Sequence, residues 1–505
     1  MSNLLLSVDV GTTAIKAGCF TPEGQLIASA YCEYPLEKPK KYWVEQDADH
    51  WLKLSKEMLS AVIKSSAVDR EDIIAMSISA QGISFVPTDF NGFALRKAFS
   101  WLDTRAVKQT QEITNIFNNK ETAFRTLGIH ILPTYTLPKI LWMKENQPDI
   151  FVNTYKFSTS LDFLNKHFVG KFITDYSIAG GMLAHNLQQM NWDKELLKLL
   201  DIPLEKFPSL DWSGTLLGDI KSDIAKEIGL PKNVKLVLGG HDQECAALGA
   251  GVSNGDISIS MGTASILIAP TDVAIIDPKL RIPSYPHVEE NQFVLEAVVS
   301  AAGVSFRWIK DLFNTISRNF SYDYDDLVDL ALQTPPGSNG IKFFPHLSGA
   351  TCPFWNPKST GMVLGISLDT SKSEFTRSLL EGWCYQLKTN LNVIEELTGR
   401  RENIFVFGGG AKNQKLLQIL ADILGKPIRI SATSETALLG AAMLAGLGAG
   451  VYSNLADAKT NVRKEGKVIE NDMAVSRIYQ SLYEDYRFIE DQFIGMNYCT
   501  KENAI

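Results

Sequence analysis

The stretch Leu4-Leu5-Leu6-Ser7-Val8-Asp9-Val10-Gly11-Thr12-Thr13-Ala14-Ile15-Lys16-Ala17-Gly18-Cys19-Phe20 decides how the rest of the chain is read. Leu4 to Val8 is an apolar run of strand length, Gly11-Thr12-Thr13 is turn-forming, and Ala14 to Phe20 returns as a second strand. The turn Thr21-Pro22-Glu23-Gly24 leads into a third strand, Gln25 to Tyr31. Asp47 to Ser65 then carries Trp51, Leu54, Met58, Leu59 and Val62 at helical spacing, and Ile73 to Ile78 is another short apolar strand. A strand meander followed by crossover helices predicts α/β layers. Roughly half a chain later, Ser258-Ile259-Ser260-Met261-Gly262-Thr263-Ala264 repeats the pattern and returns as Ser265-Ile266-Leu267-Ile268. Gly-Thr turns are common, so chance accounts for the echo as readily as kinship. Read as kinship, it predicts two related domains facing each other across a cleft, each offering a Gly-Thr hairpin turn to one ligand. No low-complexity linker separates them, and the boundary is expected just past Gly239-Gly240-His241-Asp242, dividing the chain into 1–245 and 246–505.

Composition narrows the function. A chain of 505 residues is long for one domain at about 150 residues each. With 45% hydrophobic and 21% charged residues, each domain can bury a core. The 49 basic and 57 acidic residues leave a net charge of −8, which argues against a nucleic-acid footprint built on clustered Lys and Arg. Small anions remain open, because backbone amides bind phosphate without net positive charge. Cys19, Cys32, Cys245, Cys352, Cys384 and Cys499 form no C-x-x-C pair, disulfide framework or zinc spacing, so a reducing cytoplasm is expected. The apolar start is cut by Asp9 and has no basic flank, unlike a signal peptide. Runs of about 18 apolar residues are absent, and no membrane span is expected.

Three turns have chemistry to offer. In Asp9-Val10-Gly11-Thr12-Thr13 with Lys16, glycine admits a phosphate close to the backbone, threonines and amides donate to it, and lysine adds charge. Asp9 at the strand end suits a Mg²⁺ shell held through water. An ordinary β-turn explains the same residues, and no Walker A loop is present. Phe407-Gly408-Gly409-Gly410-Ala411 with Asn413 follows the apolar strand Ile404 to Phe407 and opens a helical pattern. Three glycines exceed what one tight turn needs and suit a nucleotide lying on bare backbone at a helix start. Gly239-Gly240-His241-Asp242-Gln243 ends the strand Val234 to Leu238. Asp242 there is either a general base for a bound hydroxyl or a helix N-cap. His241 beside it reads as a hydrogen-bonded structural residue. The segments Ser79-Ala80-Gln81-Gly82 and Trp101-Leu102-Asp103-Thr104-Arg105 mix indole, amide, carboxylate and guanidinium as a polyhydroxylated ligand would require. A core tryptophan and an Asp103–Arg105 surface pair fit them equally.

Taken in order along the chain, these segments resemble the FGGY carbohydrate kinase family, xylulokinase-like branch. The resemblance rests on Asp9-x-Gly11-Thr12-Thr13-x-x-Lys16, the Gln81 turn, Trp101-x-Asp103-x-Arg105, Lys139-Ile140-Leu141-Trp142, Gly240-His241-Asp242-Gln243 and Met261-Gly262-Thr263. It continues through Pro353-x-Trp355-x-Pro357, Gly361-Met362-Val363-Leu364-Gly365, Glu381-Gly382 and Phe407-Gly408-Gly409-Gly410-Ala411. The resemblance implies two ribonuclease H-like, actin-like ATPase domains across a deep cleft, with ATP and Mg²⁺ as cofactors and a small sugar as partner. It makes Asp242 the catalytic base and Asp9 the metal-placing residue. Thr12, Thr13 and Lys16 become the first phosphate turn, and Gly262 with Thr263 the second. Gly303, in Ala302-Gly303-Val304-Ser305, becomes a nucleotide contact, and Gly409, Gly410, Ala411 and Asn413 the adenosine site. Gln81, Trp101 and Asp103 fall in the sugar-contacting region. An unperturbed aspartate at position 242 would be ionised at neutral pH.

Substrate choice is less sharply marked. Xylulokinases carry Gln-Met-His-Gly where this chain has Gln81-Gly82-Ile83-Ser84, and glycerol kinases carry Arg-Glu there. The arginine usual after Trp355-x-Pro357 is replaced by Lys358-Ser359-Thr360. A pentulose such as D-xylulose is the leading expectation, with gluconate, a deoxy-ketose or a polyol open. An actin- or chaperone-like ATPase switch, which would not need Asp242 or Trp101-x-Asp103, and a non-catalytic sugar sensor, which would bind sugar tightly without phosphoryl transfer, are the readings from other classes. A homodimer stays open. From Arg477 onward, Tyr479, Leu482, Tyr483, Tyr486 and Phe488 predict a helix packed back on its domain.

Overall fold

The opening hairpin forms as read. In a computed structural model that describes residues 3–316, 321–462 and 466–494, the chain divides into two compact units. The first comprises Met1–Gly251, Thr271–Val294 and Glu435–Lys464, and the second Val252–Pro270, Leu295–Ser434 and Glu465–Ile505. The expected 245/246 division falls inside the helix Asp242–Gly249, whose small residues carry it onward until Gly251, at φ 76°, turns the chain. Cys499 lies outside the described residues.

The first unit is built on strands β1 (Leu4–Val10), β2 (Ala14–Phe20), β3 (Leu26–Glu33), β4 (Ile73–Ala80), β5 (Leu216–Asp219) and β6 (Lys235–His241), in the order β5-β6-β4-β1-β2-β3. β1, β2 and β3 form an antiparallel meander, β4 runs parallel to β1, and β6 parallel to β4. β1 is apolar at almost every position because both faces of the sheet are covered. Leu4, Leu6 and Val8 enter one core with Trp51, Leu59 and Val62 of the helix Ala48–Ile63, which Asp47 caps. Leu5 enters the opposite core with Leu438, Leu439, Ala442 and Met443 of the helix Thr436–Gly448.

That second helix comes from late in the sequence, and its seat depends on two glycines. A Cβ at Gly249 would lie 2.0 Å from the Thr436 carbonyl oxygen, and one at Gly440 would lie 1.9 Å from that of Cys245. Only glycine at both positions lets the Asp242–Gly249 and Thr436–Gly448 backbones touch.

The second unit repeats the pattern. Its strands are β7 (Ile257–Met261), β8 (Ser265–Thr271), β9 (Phe293–Val299), β10 (Ile404–Phe407), β11 (Ile428–Ile430) and β12 (Val468–Ile469). From β9 across, the sheet runs β9-β8-β7-β10-β11-β12. β7 and β8 are antiparallel, β10 is parallel to β7, β11 is parallel to β10, and β12 closes antiparallel to β11. This is the order of β3-β2-β1-β4-β6-β5, with the same directions from β8 to β12, the ribonuclease H-like arrangement. The echo in the sequence therefore marks a repeated fold.

A helix at Lys372–Thr398, started by a Ser371/Glu374 capping box, runs buried through this unit. The terminal helix Met473–Phe493 packs on it through Tyr479, Tyr483 and Tyr486, with the Arg377 guanidinium hydrogen-bonding Glu381 at 2.9 Å and Tyr479. Phe488, expected on the same face, is 67% exposed.

Candidate active site

In the first unit a single row of residues crosses the sheet. Tyr31 on β3 pairs with Lys16 on β2, Lys16 with Asp9 on β1, Asp9 with Ser79 on β4, and Ser79 with Gly240 on β6. Residues in register point to the same face, so the row brings polar groups together at the ends of the parallel strands. The Ser79 hydroxyl donates to Asp9 Oδ1 at 2.7 Å. Lys16 Nζ lies 2.8 Å from Glu435 Oε2.

β6 reaches this row only because it is bare. A Cβ at Gly239 would lie 1.8 Å from the Ile78 oxygen, and one at Gly240 would lie 2.4 Å from Val288 Cγ1 and 3.0 Å from Asp175 Oδ2. Buried Asp175 accepts hydrogen bonds from Ser213 and Ser177, and the Ser177 hydroxyl in turn accepts from His241 N at 2.9 Å. The strand then becomes a helix. His241 takes the cap position without a side-chain cap bond, and Asp242 is the first helical residue, so the N-cap reading of Asp242 does not hold. His241 Nδ1 hydrogen-bonds to buried Glu244, Nε2 stands 3.4 Å from Asp242 Oδ1, and the ring packs on Gly82, as its structural reading required.

The electrostatics differ from an unperturbed site. Burial, then the charge of Asp242, push the Asp9 carboxyl up to about 7, against the Ser79 hydrogen bond and Lys16. Burial also raises Asp242, with Glu244 adding and His241 opposing. The expected ordinary aspartate at 242 is therefore a stronger base than a solvated one. Its side chain keeps 21% of its surface exposed, enough to meet a ligand.

The first turn is held from beneath. Gly11 N donates to Ala14 O at 3.0 Å, Tyr34 donates to Gly11 O, and Gln46 Nε2 donates to Thr12 O at 2.7 Å. Trp101 Nε1 donates to the Thr12 hydroxyl at 2.8 Å while the residue stays 37% exposed, which holds Trp101 beside the first turn. Thr13 is exposed at the tip.

Two expected sugar contacts are used up by the fold. Asp103 is fully buried, and its oxygens accept from Val44 N at 2.7 Å and from the Arg105 guanidinium at 2.6 to 3.0 Å. The Asp103–Arg105 pair is thus a buried strut, with Arg105 packed 3.7 Å over the Trp43 ring. Gln81, 2% exposed, bonds Gln46, Tyr34 and Ser84. Both carry the walls of the site and offer no surface to a ligand.

In the second unit the corresponding turn is built from backbone. Gly262 N donates to Ala264 O at 3.1 Å, and Val304 N donates to Thr263 O at 2.9 Å. A Cβ at Gly303 would lie 2.3 Å from the Gly262 oxygen. Gly408, at φ 94°, and Gly410 lie against Met261 at the end of β7, whereas a Cβ at Gly409 would meet nothing within 4 Å. Gly262, Thr263, Gly303, Gly409 and Gly410 therefore form one backbone surface with an open side. Ala411 is buried beneath it. Asn413 caps the helix Gln414–Leu424 through Leu416 N at 2.9 Å and donates to Asp325 at 2.6 Å.

Tyr34, Gln46, Glu244 and Glu435 stand among these residues but outside the motifs of the sequence, and Ser79 enters those motifs only as part of the Ser79-Ala80-Gln81-Gly82 segment. Ser79 stands next to the Gln81 turn and was within reach of a register argument. Glu435, 419 positions from Lys16, had no local signal.

Residues 4–249 match the N-terminal domain, and residues 257–449 the C-terminal domain, of the FGGY family of carbohydrate kinases. The xylulose kinase of Lactococcus lactis is 30% identical over 503 residues, covering 98% of this chain and 99% of that protein. The gluconokinase of Bacillus licheniformis is 29% identical over 457 residues, covering 88% and 87%. A crystal structure of gluconate kinase from Lactobacillus acidophilus superposes with a TM-score of 0.91 at 24% identity, over 98% of this chain and 99% of that one. Fold and relatives together define an ATP-dependent sugar kinase. The chain belongs to the FGGY family of carbohydrate kinases. Among the described residues, no helix is long and apolar enough to cross a membrane.

Proposed function

We propose that the enzyme transfers the γ-phosphoryl group of ATP to a hydroxyl of a pentulose such as D-xylulose, with Asp242 as general base. The observation that carries this reading is the placement of Asp242. It is a partly exposed carboxylate, raised by burial, on the first residue of a helix at the end of the parallel strands and beside Asp9. The helix N-terminus favours its ionised form while burial keeps it basic. The sugar hydroxyl gives its proton to Asp242, its oxygen attacks the γ-phosphorus in line, and ADP leaves. Trp101 offers a flat apolar face to the sugar, and Thr12, Thr13 and Lys16 are assigned to phosphate. In the second unit, Gly262, Thr263, Gly303, Gly409 and Gly410 are assigned to the nucleotide through bare backbone, with Ala411 and Asn413 shaping the adenosine end. Asp9 would hold Mg²⁺, since a carboxyl raised by burial and by a neighbouring acid suits a divalent cation. The ion, when bound, neutralises phosphate charge.

The choice of pentulose rests on the Lactococcus lactis xylulose kinase, similar over nearly the whole of both chains. Gluconate is the second reading. Gln81-Gly82-Ile83-Ser84 lacks the histidine of the xylulokinase pattern, and the Bacillus licheniformis gluconokinase is almost as similar. The cytoplasm is the proposed setting, in keeping with free Cys19, Cys32, Cys245, Cys352 and Cys384. The deciding experiment measures ADP formation with a panel of ketoses, aldonates and polyols and identifies the product by NMR. Turnover fastest on D-xylulose supports the reading. Turnover fastest on gluconate replaces the substrate, and steady hydrolysis indifferent to every sugar would overturn the kinase mechanism.

A further inference from the structure

Lys16 is the cation of the first turn, yet its charge is already engaged. Its ammonium is 2.8 Å from Glu435 Oε2, and the two side chains keep 35% and 25% of their surface exposed. Glu435 stands at the N-cap position of Thr436–Gly448, where an acidic side chain would ordinarily accept a hydrogen bond from its own helix. It makes no such bond, and its carboxylate is turned across the sheet to Lys16. The Thr436–Gly448 helix is fixed by the glycine contact at Gly249 and Gly440, so the carboxylate is presented from a rigid base. Lys16 in turn is fixed by its register opposite Asp9. The carboxylate thus stands where an anion would meet this lysine.

We propose that Glu435 is an internal stand-in for a nucleotide phosphate on Lys16, so that ATP and ADP bind by displacing it and ADP departs more readily as it returns. This rests on the reading that Lys16 contacts phosphate. A partly exposed ion pair is weakly held and exchanges with little cost, as a displaceable partner must. The charge of Glu435 also reaches Asp9, whose carboxyl it raises, which keeps it within range of the same phosphates.

ADP binding to the full chain, measured by calorimetry for the wild type, Glu435→Gln, Lys16→Met and the double variant, tests the proposal. Glu435→Gln is expected to tighten ADP about three- to five-fold, the scale of one exposed ion pair. Lys16→Met is expected to weaken it, and Glu435→Gln should add nothing once Lys16 is gone. If Lys16→Met weakens ADP but Glu435→Gln leaves it unchanged or weakens it further, Glu435 supports Lys16 and the proposal fails while the phosphate reading stands. If Glu435→Gln tightens ADP equally in the Lys16→Met background, the effect is diffuse repulsion and displacement is refuted. If Lys16→Met leaves ADP unchanged, the phosphate reading itself fails and the proposal with it. Glu435→Ala removes the same carboxylate and carries the test if the glutamine variant does not fold.

Discussion

The two units share one strand order and one hairpin, but what stands beside the hairpin is different. In the first unit the row through the strand ends is Lys16–Asp9–Ser79–Gly240, with Asp242 and Glu435 close by. In the second, the equivalent row is Ile266–Ser260–Phe407. The first hairpin is braced by side chains from outside it, Tyr34, Gln46 and Trp101. The second is braced by the backbone of Gly303 and Val304 and flanked by Gly408 and Gly410. One structural element thus serves two characters. The charged copy suits proton transfer and phosphate chemistry, and the uncharged copy offers amides and space.

Substitutions that exchange these characters break the comparison at its strongest point. Asp242→Asn removes the base while keeping shape, and kcat in a coupled ADP assay is expected to fall by about 100-fold or more with ADP affinity retained. Turnover near that of the wild type would remove Asp242 from the chemistry. Gly303→Val puts a side chain onto the Gly262 carbonyl, which a Cβ would approach to 2.3 Å. Nucleotide affinity is expected to drop roughly ten- to a hundred-fold by calorimetry, with the melting curve showing a folded chain. Unchanged affinity would mean that the second turn is structural only.

Trp101→Phe keeps an aromatic face and deletes the N–H that holds Thr12. The sugar KM is expected to rise about two- to ten-fold, the scale of one hydrogen bond, with kcat less affected. An unchanged KM would show that the indole–Thr12 bond does not shape the sugar site.

The pH dependence of stability sharpens the same contrast. Asp9 is held at about 7 in the folded chain against 3.8 as a free carboxyl, so between those values the unfolded chain releases the proton first. Its contribution to stability therefore declines as pH rises from about 4 to about 7 and is level above. Asp9→Asn is expected to raise the melting temperature at pH 8 by a few degrees and to leave it nearly unchanged near pH 4. A gain equal at both pH values would show that burial does not shift Asp9. Ser260→Ala, at the position equivalent to Asp9, should change kcat and the melting curve least, within about twofold. A large loss there would mean that the second row also carries chemistry.

Much of this was legible in the residues. The hairpin Leu4–Phe20, its repeat at Ser258–Ile268, the glycine turn after Phe407 and the strand leading to Asp242 all announced themselves, because turns and strand runs are local. Asp103 and Gln81 misled because carboxylates and amides serve buried networks and sugars alike. Only burial separates the two uses, and both are closed off from solvent.

By itself, the order of apolar runs, Gly-Thr turns and acidic strand ends predicted α/β layers and offered Asp9, Lys16 and Asp242 as candidates, while the ribonuclease H-like pair came from the family resemblance. Tertiary structure decided that Glu435 meets Lys16, that Ser79 holds Asp9, and that a helix from late in the sequence covers the first sheet. Those pairings join residues with no local bond between them. Register and a glycine-to-glycine helix contact set them, and both exist only once the chain has packed.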